Sequence, residues 1–134
     1  MKPLDVAGRY LAKAAQDEAL LDCTLFDSSI ADEIFGFHCQ QAVEKLLKAA
    51  ILALGGGVER THDLAHLVDV AASLGAVVPP DVEAARTLTP FAVEHRYGFM
   101  DEDEGAPFDR SAARARVTAV RGWAEEIVDA TSLS

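Results

Sequence analysis

Phe37-His38-Cys39-Gln40-Gln41-Ala42-Val43-Glu44-Lys45-Leu46-Leu47-Lys48-Ala49 is the stretch on which the reading of this chain turns. Its spacing is helical, yet polar and apolar positions do not separate into two clean faces. A His-Gln-Gln-Glu-Lys set in the middle of a largely buried helix must find hydrogen-bond partners, because an unpaired buried polar group costs about 1 to 3 kcal/mol. The block therefore either builds an internal polar network or lines a cleft.

Working outward, the helix that carries this block begins near Ala31-Asp32. It continues through Ile34, Ile51, Leu52 and Leu54 until Gly55-Gly56-Gly57 supplies the backbone freedom that ends helices. Upstream, a helix from Asp5 to about Phe26 puts Val6, Tyr10, Ala14, Leu21 and Leu25 on one stripe, and Asp27-Ser28-Ser29 stops it. Downstream, Thr61-His62-Asp63 offers capping side chains to a short helix over Leu64 to Leu74, with Leu64, Leu67, Val68 and Ala71 on one side and Gly75 closing it. Pro79-Pro80-Asp81 opens a fourth helix through Val82, Ala85 and Leu88, which Pro90 is expected to kink or split. Asp101-Glu102-Asp103-Glu104 reads as a mobile acidic loop. The last helix, Asp109 to about Ala130, has Val117, Val120, Ala124, Ile127 and Thr131 at heptad-like spacing with Trp123 beside them, and its tail is expected to fray. No segment alternates with the period of a strand. The expected fold is all-α, an antiparallel up-and-down bundle of about five helices, forming one domain over residues 1–134 with its core at about 4–130.

The chain has 134 residues, 12 of them basic and 22 acidic, for a net charge of −10. That balance argues against a surface made for non-specific binding along a polyanion. No long apolar run predicts a membrane span, and Met1-Lys2-Pro3-Leu4-Asp5 lacks the order of a signal peptide, so a cytoplasmic protein is expected. Cys23 and Cys39 read as small core residues. The glycine triplet follows a helix and precedes no Lys-Ser or Lys-Thr, so it is no phosphate cradle. His62 and His66 are the one metal-like pair, but a capping role at a helix start explains His62 better, and no metal or cofactor is expected. Arg110, Arg114 and Arg121 share roughly one helical face, which either stays solvated or receives phosphate groups or an acidic partner. High apolar content in the second and last helices hints at a covered face, hence a homodimer.

The block at 37–49 closely resembles the second-helix signature of HEPN-domain proteins. Thr61-His62-Asp63-Leu64 looks like the element that opens their third helix. Glu94-His95-Arg96-Tyr97-Gly98 is similar to their Ala-Arg-Tyr-Pro segment, and Ala14-Ala15-Gln16-Asp17 also fits. The resemblance implies an antiparallel bundle that forms a two-fold dimer, often encoded beside a minimal nucleotidyltransferase in a toxin and antitoxin pair. It also implies that many relatives are metal-independent endoribonucleases, with an Arg followed after four to six residues by a His.

By position Arg96 is the candidate arginine, but Asp101, Glu102 and Asp103 stand where the histidine is needed, and carboxylates there repel phosphate. Arg60 and His66 do have five residues between them, a spacing loose enough to arise by chance. The expectation is therefore a dimeric, non-catalytic subunit with no catalytic residues. His38, Gln41, Lys45 and Arg96 would form a polar cleft for a nucleotide or for a partner nucleotidyltransferase. The alternative is a metal-independent endoribonuclease acting on RNA through Arg60, His66 and Arg96.

Overall fold

The computed structural model describes residues 2–91 and 108–133. All regular structure among them is helical: α1 (Pro3–Thr24), α2 (Asp32–Ala53), α3 (Leu64–Ser73), α4 (Pro80–Glu83), a 3-10 helix (Ala84–Phe91) and α5 (Arg110–Ser132). The expected acidic loop at Asp101–Glu104 and the segment with Arg96 lie outside the described residues. No helix among the described residues is long and apolar enough to cross a membrane.

α2 is the central element, packed against α1, α3, α5 and the 3-10 helix. Phe35, Leu46, Leu47 and Ile51 on it are fully buried, and so are Ala42, Ala49 and Ala50, whose small side chains let its neighbours approach closely. Most of its apolar content is thus buried within one chain, and Ile34, at 43% exposure, is its large apolar side chain left at the surface among the described residues. Gly55, with φ of +94°, ends it as a Schellman turn: the Gly56 N–H donates to the Ile51 carbonyl at 2.9 Å and the Gly55 N–H to the Leu52 carbonyl at 3.1 Å. Gly75 repeats the device after α3, with φ of +103°.

Each remaining boundary has a local cause. α1 starts at Pro3, two residues before the expected Asp5, because a proline at the first helical position loses no hydrogen bond. Asp63, rather than His62, caps α3 by accepting from the His66 N–H at 3.3 Å. Asp109 caps α5 through the Ala112 N–H at 3.0 Å. The fourth helix departs from expectation: only Pro80–Glu83 is α-helical and the chain then tightens into a 3-10 helix that contains Pro90. Val82, Ala85, Leu88 and Phe91 are all buried and recur every third residue, the repeat that a 3-10 helix stacks on one face. α5 runs to Ser132, two residues past the expected Ala130, and the Thr131 hydroxyl donates to the Ile127 carbonyl at 3.0 Å. Trp123 ties α5 to the α3–α4 connection by donating from Nε1 to the Val77 carbonyl at 2.9 Å.

Phe91 and Phe108 meet edge to face with ring centroids 5.1 Å apart, and Phe35 stands 6.3 Å from Phe108. This aromatic cluster rests on Gly36, where a Cβ would lie 2.3 Å from the Phe91 ring. A glycine is needed there because the ring occupies the space a side chain would take. Cys39 is buried, and burial pushes its thiol up to about 12, so it is an inert core residue as expected. Cys23 is exposed, contrary to expectation, because it lies on the outer face of α1.

Candidate functional site

The polar residues of the 37–49 block form two hydrogen-bonded clusters on opposite flanks of α2. Toward α1, the Asp17 carboxylate accepts from His38 Nδ1 at 3.0 Å and from Lys45 Nζ at 2.6 Å. An ionised carboxylate can only accept, so Nδ1 carries the proton in this pair. The Asp17 side chain is 11% exposed, against 27% for His38 and 23% for Lys45. The acid is therefore the buried post, and the two basic groups lean over it from α2. Gln41 lies between the flanks and donates to the Gln40 side-chain oxygen at 2.8 Å.

Toward α3, the Glu44 carboxylate is almost fully buried and accepts from Gln40 at 3.0 Å, from Lys48 at 2.9 Å and from His62 Nδ1 at 2.7 Å. Gln40 also donates to the His62 carbonyl at 3.1 Å, which fixes the loop before α3. Burial pushes the Glu44 carboxyl up, but the bonds from Lys48, His62 and Gln40 and the charge of Lys48 outweigh it, so its affinity for protons falls below the ordinary carboxylate value. Asp17, Glu44, Lys48 and His62 were not among the site residues selected from sequence. The Glu44-x-x-x-Lys48 spacing, one helical turn, was a signal for part of this set. The partners of Asp17 and His62 are 21 and 18 residues away, and no local pattern connects them.

The arginine face is neither simply solvated nor free: all three of its side chains are engaged within the chain. Arg110 donates to Asp32 at 2.9 Å, to the carbonyls of Thr24 at 2.7 Å and Asp27 at 3.1 Å, and to that of Ile30. It lies 5.1 Å from the centre of the Phe35 ring. Arg114 makes a two-point contact with Asp22 at 2.7 and 3.3 Å, and Arg121 donates to Glu18 at 2.7 Å and to the Leu11 carbonyl at 2.9 Å. These side chains fasten α5 to α1 and to the α1–α2 turn. The hydrogen bond from Arg114 holds the Asp22 carboxyl below its ordinary range.

Of the alternative catalytic set, Arg60 is exposed and the His66 Nε2 is engaged at 2.6 Å by Glu59, itself half exposed. His62 and His66 turn to different carboxylates, Glu44 and Glu59. Among the described residues no group of three or more His, Cys, Asp or Glu side chains is placed to hold a metal. Arg96, selected for both the cleft and the catalytic set, lies outside the described residues. His38, Gln41 and Lys45 do share one face of α2, with half-exposed Ile34 one turn before His38.

Comparison with curated proteins and with solved structures returned no match. The HEPN domain family model matches residues 25–131, from the α1–α2 turn to the last turn of α5, and includes the whole 37–49 block and His62 but not Asp17. With most of its length covered in this way, the chain belongs to the HEPN domain family.

Proposed function

We propose that this chain is a dimeric, non-catalytic HEPN subunit that docks a partner minimal nucleotidyltransferase, in a cytoplasmic pair of the toxin and antitoxin kind, through the outward face of α1 and α2. The observation that carries the reading is the commitment of the polar groups on that face. His38 and Lys45 are already anchored on Asp17 at 3.0 and 2.6 Å. A nucleotide phosphate at the same spot would meet the Asp17 carboxylate, which favours a protein surface over a phosphate as the occupant. Ile34 at 43% and Leu20 at 39% exposure add apolar area beside these polar groups, the mixture typical of a protein interface.

Co-expression with a nucleotidyltransferase encoded beside the gene tests the reading. A complex should purify whose light-scattering mass contains two copies of this chain, and Ile34→Asp and Gln41→Arg should each abolish it. Failure to form a complex, or a complex indifferent to both substitutions, refutes the proposal.

One observation favours the endoribonuclease reading. His62 is held through Nδ1 by a buried carboxylate and is 43% exposed, the posture of an oriented acid or base, and Arg60 stands two residues away. Incubation of single-stranded RNA with the protein in chelator decides between the two. The binding-subunit reading expects no cleavage, and cleavage abolished by His62→Ala would replace it.

A further inference from the structure

The described cations divide into two groups. Lys45, Lys48, Arg86, Arg110, Arg114 and Arg121 each rest on a carboxylate. Lys2, Arg9, Lys13, Arg60 and Arg116 rest on none among the described residues. In a chain of net charge −10, the uncommitted positive charge is therefore scarce, and most of it gathers in one place. Lys2, Arg9 and Lys13 are spaced seven and four residues apart, so they fall on one edge of α1 and its N-terminal lead-in.

Arg9 and Lys13, with Val6 and Tyr10, line a groove of about 240 Å³. The four residues form two adjacent rows, Val6–Tyr10 half buried and Arg9–Lys13 exposed, each with its members one helical turn, or about 6 Å, apart. A furrow between two such rows is the feature into which a ridge of side chains from another helix fits. All of its lining comes from one helix, so it is open at both ends and lacks the converging walls of a small-molecule pocket. The charge row asks for carboxylates and the half-buried row for an apolar side chain.

We propose that the N-terminal half of α1 is a docking face for an acidic amphipathic helix of a partner protein. The partner's apolar row enters the furrow over Val6 and Tyr10, and its carboxylates pair with Arg9 and Lys13. Asp5, exposed one turn before Arg9, shares this edge but is outnumbered there by Lys2, Arg9 and Lys13, while Arg60 and Arg116 stand singly elsewhere, so charge favours this edge for such a helix. The inference takes its setting from the binding-subunit reading, but it uses the N-terminal turns of α1 instead of the His38–Lys45 region further along the same side, and its test needs no nucleotidyltransferase.

The test is a titration of the isotope-labelled full chain, followed through its amide resonances. The probe is a synthetic helical peptide of about 18 residues with Glu at successive i, i+4 positions and Leu on the adjacent row. Shifts should concentrate in residues 2–13. The double variant Arg9→Glu with Lys13→Glu should bind at least about tenfold more weakly, and should instead bind a peptide with Lys in place of Glu. Arg116→Glu, which removes an uncommitted cation elsewhere, should change binding by less than about twofold. Shifts spread over the molecule, shifts centred on His38, or binding unchanged by the double reversal would overturn the proposal. So would a short single-stranded RNA that binds the same residues more tightly than the peptide. An absent complex with the neighbouring enzyme sinks the earlier reading and leaves this outcome intact.

Discussion

Replacing Glu44 by glutamine keeps the shape of the side chain and removes its charge. In the parent, Lys48 is 9% exposed and has this carboxylate as its ion-pair partner at 2.9 Å. After the substitution an ammonium is left in a poorly solvated site beside an amide that itself carries two N–H donors. Removing one partner of a buried pair costs about 3 to 5 kcal/mol. The lower end applies because His62 is 43% exposed and recovers its bond from water, so the expected loss is about 3 kcal/mol, or roughly 10 °C in Tm for a domain of this size. Urea melts of the parent, Glu44→Gln, Lys48→Met and the double variant close a thermodynamic cycle. The double variant should recover about 2 kcal/mol relative to the sum of the single losses, since no orphan charge remains. Single losses within about 0.5 kcal/mol of zero, or additivity to the same precision, would refute the burial of this pair.

The same carboxylate sets a pH signature. Its folded-state pKa lies below the ordinary 4.5 that it regains on unfolding. The stabilisation is therefore fully present above that value and is lost as pH falls through the folded-state pKa. The gap in stability between the parent and Glu44→Gln should stay constant around neutrality and narrow below about pH 4.5.

Gly36→Ala drives a methyl group into the Phe91 ring and should cost about 1 to 3 kcal/mol by thermal melt, whereas Gly8→Ala, with nothing within 4 Å, should be neutral or slightly stabilising. Gln40→Ala should destabilise by about 2 kcal/mol more than Gln41→Ala, because Gln40 is fully buried with bonds to both Glu44 and the His62 carbonyl while Gln41 is half exposed. Arg110→Met should cost about 2 kcal/mol and speed amide hydrogen exchange in residues 24–31, since three carbonyls of that stretch lose their donor.

Sequence periodicity locates the long helices well because each buries a face repeated over five or more turns, as in α2 and α5. It fails at Ala84–Phe91, where a three-residue repeat is short enough to pass for a helix interrupted by Pro90. The polar block at 37–49 is legible as requiring partners, and both branches of that expectation are realised. Gln40, Glu44 and Lys48 build the internal network, while His38, Gln41 and Lys45 border the surface. Which residue takes which branch depends on Asp17 and His62, contributed by α1 and by the loop before α3. Only the tertiary arrangement brings these to α2, and their burial then decides how much each bond matters.

The arginines of α5 show why membership of the family leaves activity open. A helix lined with Arg110, Arg114 and Arg121 has the charge a phosphate-binding face needs, and the sequence alone cannot separate that use from another. The other use competes directly. Asp22, Glu18 and Asp32 face these arginines, and each ion pair that holds α5 to α1 or to the start of α2 removes a guanidinium from the set free to contact RNA. Releasing Arg110 to bind substrate would also uncap the carbonyls of the α1–α2 turn. Cleavage through these residues would thus require loosening the bundle it depends on. Docking through the committed His38–Lys45 face and the uncommitted Arg9–Lys13 edge requires no such exchange, and this asymmetry is the physical ground for reading the chain as a binding subunit.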